Sequence, residues 1–326
     1  MTVSQPLLVL DFGGTKLTAA VVVPGGRAWD DRRQARSPEG ATAQTDLKLA
    51  CGMAREMLPG QTPAAIGVSF GGPVAGERGV VRLSHHVPGW ENFPLAERLQ
   101  AELGARAVVE NDANAAALGE WRYGAGHGCD SLLYITVSTG VGGGWIVNGG
   151  LWRGTDGLAG EIGHLVLQPD GPLCTCGKRG CVEALAAGPY VAARARDALL
   201  ADPSEGALLR ARVQGDVSRL TAEHVALAAQ EGDNLAWQVL AEAARALGQG
   251  IGAALALMNP QRVVVGGGVA KSGERYWQVM CEAAAALTRG VPAPRVEIVP
   301  AALGDDAPLW GAAALAEALL CTENGS

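Results

Sequence analysis

An α/β fold, as two domains or one large one, follows from three features of the sequence. The chain has 326 residues, 48% of them apolar, enough to bury a substantial core. Apolar strand-like runs joined by small-residue turns occur twice, at 7–23 and 132–147, which suggests duplicated halves. Between and after them lie Ala/Leu/Arg/Glu-rich segments with helical character.

Residues 7–23, LLVLDFGGTKLTAAVVV, read as a hairpin with a Gly-Gly turn. Gly13, Gly14 and Thr15 would let backbone N–H groups approach a phosphate closely, and Asp11 could hold Mg²⁺ directly or through water. An ordinary hairpin would look the same. In VVENDANAAALGEWRYG, Val108-Val109 closes a strand and Asn111-Asp112 precede an Ala-rich helical run. Asp112 either caps that helix or, at a strand mouth between two phosphate-facing turns, serves as a catalytic base. The stretch 132–147, LLYITVSTGVGGGWIV, repeats the strand–turn–strand pattern, with Thr139-Gly140 placed much as Gly14-Thr15. It is neither a P-loop nor a dinucleotide fingerprint, because G-x-x-x-x-G-K-[ST] is absent and the turn leads into a strand where a helix is required.

Residues 184–258 read as helices interrupted around ADPSEG and QGD. Residues 258–273, MNPQRVVVGGGVAKSG, read as helix end, buried strand, glycine turn and helix. Gly266, Gly267 and Gly268 either lie against a flat ligand or make a tight strand-to-helix turn. The tail gives a strand, a loop and a final helix, and no linker separates independent modules. A formal charge of −7 argues against a broad nucleic-acid surface and favours a small-molecule substrate. The opening lacks a basic leader, Asp11 interrupts its apolar run, and no segment is long and apolar enough to span a bilayer. The expectation is a soluble, cytoplasmic protein without membrane or nucleic-acid partners.

Of seven cysteines, Cys51, Cys129, Cys281 and Cys321 stand singly and read as buried or partly buried apolar side chains. The other three share CTCGKRGC. A Cys174–Cys176 disulfide would close a strained ring and would be short-lived in a reducing cytosol, so a metal is the better reading. Gly177 and Gly180 free the backbone to wrap the thiolates around one point, and His164 is the nearest fourth ligand, giving a Cys₃His structural zinc set with Cys174, Cys176 and Cys181. Glu161 lies three residues before His164 and Glu183 two after Cys181. With one imidazole nitrogen on the metal, the other remains a hydrogen-bond donor, and this wall of carboxylates and imidazole suits a polyhydroxylated ligand such as a sugar.

Taken in order, Asp11-x-Gly-Gly-Thr-Lys16, Glu110-Asn-Asp-Ala-Asn114, Glu161-Ile-Gly-His164 and Cys174-x-Cys-Gly-x-x-Gly-Cys181-x-Glu183 resemble the ROK family (repressors, open reading frames and sugar kinases) of the actin/hexokinase/heat-shock ATPase superfamily, over nearly the whole chain. The resemblance implies an α/β fold of two ribonuclease-H-like (actin-like ATPase) domains flanking a cleft, with a structural zinc site. Residues 1–115 with about 301–326 would form the smaller domain and 116–300 the larger, in a homodimer or homotetramer. It implies ATP-dependent phosphorylation of the 6-hydroxyl of glucose, with N-acetylglucosamine, N-acetylmannosamine, mannose or fructose as alternative acceptors. Asp112 would be the general base, and Gly72, Asn111, Glu161, His164 and Glu183 would bind sugar hydroxyls. Gly13, Gly14, Thr15, Lys16, Thr139 and Gly140 would face the ATP phosphates, Gly266 and Gly267 the nucleoside, and Asp11 would assist Mg²⁺. Domain closure would exclude water from the reaction. Ser138 stands where the family commonly has glycine, His86 where it often has asparagine, and Ala75 where a polar residue is frequent. The family also holds sugar-sensing repressors with an N-terminal helix-turn-helix, for which no room precedes Asp11. A sugar-binding protein without turnover is the remaining alternative.

Overall fold

The strand order of one five-stranded sheet is repeated in a second. The computed structural model describes residues 5–14, 16–84, 86–289 and 296–321. Its first half runs β1 (Leu7–Gly13), β2 (Lys16–Val22), β3 (Asp31–Arg36), α1 (Ala43–Met57), β4 (Ile66–Phe70), a ribbon of β5 (Val74–Ala75) and β6 (Val80–Val81), α2 (Leu95–Leu103), β7 (Ala107–Asn111) and α3 (Asp112–Tyr123). The sheet order is β3-β2-β1-β4-β7, antiparallel across β3, β2 and β1 and parallel from β1 to β7. The second half runs β8 (Leu132–Val137), β9 (Val141–Val147), β10 (Gly150–Trp152), α4 (Val182–Ala186), α5 (Gly188–Ala201), α6 (Ala207–Arg212), α7 (Ala222–Gln230), α8 (Asn234–Met258), β11 (Arg262–Gly266), α9 (Glu274–Leu287), β12 (Glu297–Pro300) and α10 (Ala307–Cys321). Its sheet order, β10-β9-β8-β11-β12, is the same sequence of hairpin, extra strand and two crossover strands.

The first sheet is covered on both faces, so its central strands are apolar throughout. Alternation along β1 sends Leu8, Leu10 and Phe12 into a core with α1, α2 and Trp90, and Leu7 and Val9 into another with α10. Each fully buried Leu or Val contributes about 1.5–3 kcal/mol. Trp90, 1% exposed, meets Phe12, Phe70 and Phe93 edge-on at centroid distances of 5.5, 4.9 and 4.9 Å, and this pins the loop just before it.

Two compact units result, Met1–Gly128 with Gly144–Ala159 and Ala302–Ser326, and Cys129–Gly143 with Gly160–Ala301. This division differs from a break at 115/116, and helix packing is the reason. Helix α3 packs against α10, so closely that a Cβ on Gly311 would fall 1.7 Å from the Ala115 carbonyl oxygen. Glu120, fully buried on α3, fastens the returning chain by accepting from the N–H groups of Ala125 at 2.8 Å, Ala302 at 3.1 Å and Leu303 at 2.8 Å. No helix among the described residues is long and apolar enough to cross a membrane. Of the scattered cysteines, Cys51 is buried and Cys129 and Cys281 are half-buried, but Cys321, at the last position of α10, is exposed because the helix end has left the core.

Candidate active site and metal centre

In the first unit the sequence-predicted residues gather at the carboxyl ends of β1, β4 and β7. Asp11 pairs in register with Ser69 of β4, whose hydroxyl donates to Asp11 Oδ1 at 2.7 Å. Part of the residue is accessible, but the carboxyl is packed round by protein, and this desolvation raises its pKa from 3.8 to about 6; the Ser69 hydrogen bond opposes the rise, the Asp112 charge adds to it and Lys16 works against it. The turn that follows needs glycine, because Gly14 has φ +66°. The His86 ring lies over Gly14, and a Cβ there would fall 2.9 Å from His86 Cδ2. Lys16 opens β2 and is exposed; Thr15 lies outside the described residues. Gly71 N–H donates to the Phe12 carbonyl at 2.9 Å, bringing the Gly71-Gly72 loop beside the turn.

Strand β7 runs through Asn111, two residues beyond the expected end, and the helix cap therefore falls on Asn111 rather than Asp112. Asn111 Oδ1 accepts from the N–H groups of Ala113 at 3.0 Å and Asn114 at 3.2 Å. Its amide nitrogen donates to the Gly72 carbonyl at 3.1 Å and to Asp112 Oδ1 at 3.0 Å. Both amide hydrogens and both lone pairs are thus engaged. Asp112 Oδ1 also accepts from Ala113 N–H at 2.8 Å, so the Asp112 carboxylate is held in one orientation without being the cap.

Beneath this pair sits Glu110, 2% exposed. Its Oε1 accepts from Asn111 N–H at 3.0 Å and from Asn114 Nδ2 at 3.1 Å, and its Oε2 takes Arg153 Nε at 2.6 Å. A buried carboxylate needs such partners. Glu110 stands inside a quoted motif without a role, and Arg153, 43 residues away, gives no local signal at all.

In the second unit the corresponding turn joins β8 to β9. Ser138 N–H donates to the Gly140 carbonyl at 2.9 Å, and the Ser138 carbonyl accepts from Gly188 N–H at 2.8 Å, so the start of α5 holds the turn. Thr139 is exposed. Glu183, in the first turn of α4, accepts from Val141 N–H through Oε2 at 3.1 Å. A Cβ on Gly140 would lie 2.7 Å from that oxygen, so a side chain there would have to displace the Glu183 carboxylate. Gly266 and Gly267 pack on β8. A Cβ on Gly267, which has φ +90°, would fall 2.3 Å from the Val137 carbonyl oxygen, and one on Gly266 would fall 2.9 Å from the Tyr134 hydroxyl, whereas Gly268 faces open space. The tight strand-to-helix turn alone accounts for the first two.

The CTCGKRGC loop brings one ligand atom each of His164, Cys174, Cys176 and Cys181 within 4.8 Å of one another. Cys174 Sγ lies 3.7 Å from His164 Nδ1, and Cys176 Sγ 3.7 Å from Cys181 Sγ. The other imidazole nitrogen, Nε2, faces Glu161 Oε2 at 3.8 Å. Burial pushes the Cys174 thiol up and the Cys181 thiol up to about 12, while the Lys178 backbone N–H beside Cys176 draws that thiol down. Backbone bonds from Cys174 N–H to the Lys178 carbonyl at 2.8 Å and from Gly177 N–H to the Cys174 carbonyl at 3.0 Å close the loop. Four convergent ligands of this chemistry suit a metal ion.

Comparison with known proteins gives the family and agrees with the fold. The sequence profile of the ROK family matches residues 7–318. The glucokinase of Thermotoga maritima is 31% identical over 95% of this chain and 96% of its own length. The N-acetylmannosamine kinase of Shigella flexneri is 35% identical over 81% of this chain and 83% of its own. The crystal structure of a ROK family glucokinase from Streptomyces griseus in complex with glucose and AMPPNP superposes with a TM-score of 0.83 at 34% identity, covering 96% of this chain and 99% of that one.

Proposed function

Because the chain belongs to the ROK family, as the match over residues 7–318 establishes, we propose that it is an ATP-dependent sugar kinase acting on the 6-hydroxyl of glucose. The observation that supports this best is the Asn111–Asp112 pair, in which the cap is made by Asn111 and the neighbouring carboxylate is oriented at Oδ1 by two donors. A residue with only a capping role would not be built so. The similarity to glucokinases, one of them solved with glucose and AMPPNP, supports the same reading.

Asp112 acts as the general base, accepting the proton of the attacking hydroxyl as that oxygen meets the γ-phosphorus. Asn111 orients it, and a sugar hydroxyl reaches Asn111 only by replacing Gly72 or Asp112 among its partners. Gly72, Glu161, His164 Nε2 and Glu183 bind the remaining hydroxyls. Backbone N–H groups of the two hairpin turns, with Lys16, take the phosphates, and the Gly266-Gly267 turn lies along the nucleoside. Asp11 fits a magnesium ion: a buried carboxylate beside a second one gains from a divalent cation, and Mg²⁺ when bound neutralises phosphate oxygens.

The cysteine cluster fits zinc. A tetrahedral cage with metal–sulfur distances of about 2.3 Å has sulfur–sulfur edges of about 3.8 Å, against 3.7 Å between the Cys176 and Cys181 sulfurs. With Nδ1 turned to the cluster, His164 keeps Nε2 for the Glu161 side. His164, Cys174, Cys176 and Cys181 would together supply the four ligands of a structural zinc.

The test is phosphorylation by Mg-ATP across glucose, mannose, fructose, N-acetylglucosamine and N-acetylmannosamine. Preference for glucose is expected. Preference for an N-acetylated sugar would keep the mechanism and move specificity to His86 and Ala75, the reading favoured by the similarity to the N-acetylmannosamine kinase. No turnover with any sugar would overturn the kinase.

A further inference from the structure

The Glu183 carboxylate touches two things at once within the second unit. Oε2 accepts from Val141 N–H at 3.1 Å, on the hairpin turn, and Oε1 accepts from the Thr175 hydroxyl at 2.9 Å, in the cysteine loop. Thr175 stands between Cys174 and Cys176, two of the four clustered ligands, so its backbone is placed by whatever holds those sulfurs. Buried Val182, Ala184 and Leu185 fix the path of α4, but they leave the Glu183 side chain its own rotatable bonds. A second partner at Oε1 therefore selects the rotamer that reaches Val141.

We propose that Thr175 is a positioning residue: acting through Glu183, it makes the β8–β9 turn take its phosphate-binding shape only when the metal cluster is formed, and so couples metal loading to nucleotide affinity. The coupling to nucleotide rests on the reading that this turn faces the ATP phosphates. Linkage is reciprocal, so bound nucleotide must in turn retain the metal.

The experiment uses the full, metal-loaded chain with Thr175→Val, which deletes the hydroxyl and keeps the branched shape, and Thr175→Ser, which restores it. Amide exchange at Val141 without ligand should be several-fold faster in Thr175→Val and normal in Thr175→Ser. A non-hydrolysable ATP analogue should bind about three- to tenfold more weakly to Thr175→Val and as in the wild type to Thr175→Ser. The analogue should slow release of the metal to a chelator in the wild type and fail to do so in Thr175→Val. Unchanged Val141 exchange in loaded Thr175→Val overturns the proposal, and so does loss of metal from that variant, which would place the hydroxyl's effect on the cluster itself. If the wild type does not bind the analogue, the nucleotide reading of the turn falls and takes the affinity coupling with it, while the exchange result still decides whether Thr175 positions the turn.

Discussion

The two hairpin turns occupy the same place in sheets of the same strand order, yet each obtains its carboxylate differently. In the first unit the acid is part of the strand: Asp11 lies in the ladder, in register with Ser69, and the sheet itself holds it. At the corresponding point of the second sheet stands Thr136, in register with Gly266, and the acid comes instead from helix α4 as Glu183. The first arrangement depends on sheet pairing alone. The second depends on a loop whose order rests on a cysteine cluster, so a duplicated architecture has one turn that is permanently set and one that can respond to metal.

Breaking the chemistry should outweigh anything done to either turn. Asp112→Asn, measured by steady-state kinetics, should lower kcat by about a thousandfold with sugar KM within a few-fold; near-normal turnover would remove Asp112 from its role. Next comes loss of the cluster. Cys176→Ser should release the metal, assayed by elemental analysis, and weaken both sugar and nucleotide binding by more than about tenfold. Amide exchange at Phe12 and Gly13 should stay as in the wild type. If both turns loosen together, the contrast between them is wrong.

The in-strand acid makes a prediction of opposite sign. Asp11 keeps its proton to about pH 6 in the native state and only to about 3.8 when unfolded, so between these values the native state binds more protons and stability falls as pH rises. Above that window the buried charge costs up to about 3 kcal/mol. Asp11→Asn should therefore unfold at higher urea than the wild type near neutral pH, lose that advantage below the window, and lose Mg-ATP turnover. A smaller effect is expected for Arg153→Met, which leaves Glu110 buried without its cation; about 2 kcal/mol of stability should be lost in urea titration.

What could be read from sequence was local. Both hairpins, the glycine turns and the ligand set of CTCGKRGC depend on spacings of a few residues, and the structure has them where expected. From sequence Asp112 reads either as the cap or as a base; the strand runs two residues further than expected, and the cap falls on Asn111. Contacts that hold the site in place were illegible because folding alone brings them together: Glu183 to Val141 across 42 residues, Glu110 to Arg153 across 43, and Glu120 to Leu303 across 183. Why α3 stays with the first unit is illegible for the same reason, since nothing near residue 115 announces its packing against Gly311 of α10.

That late helix bears on how the chain is made. Leu7 and Val9 are buried by Leu309, Ala312, Ala313 and Ala316, which are synthesised long after them. A growing chain therefore carries a bare apolar sheet face until α10 is made, while every residue of the second unit precedes that helix. The second unit should fold before the first is complete, and a ribosome stalled before α10 should display a folded second unit attached to a first unit whose sheet face only chaperones can shelter.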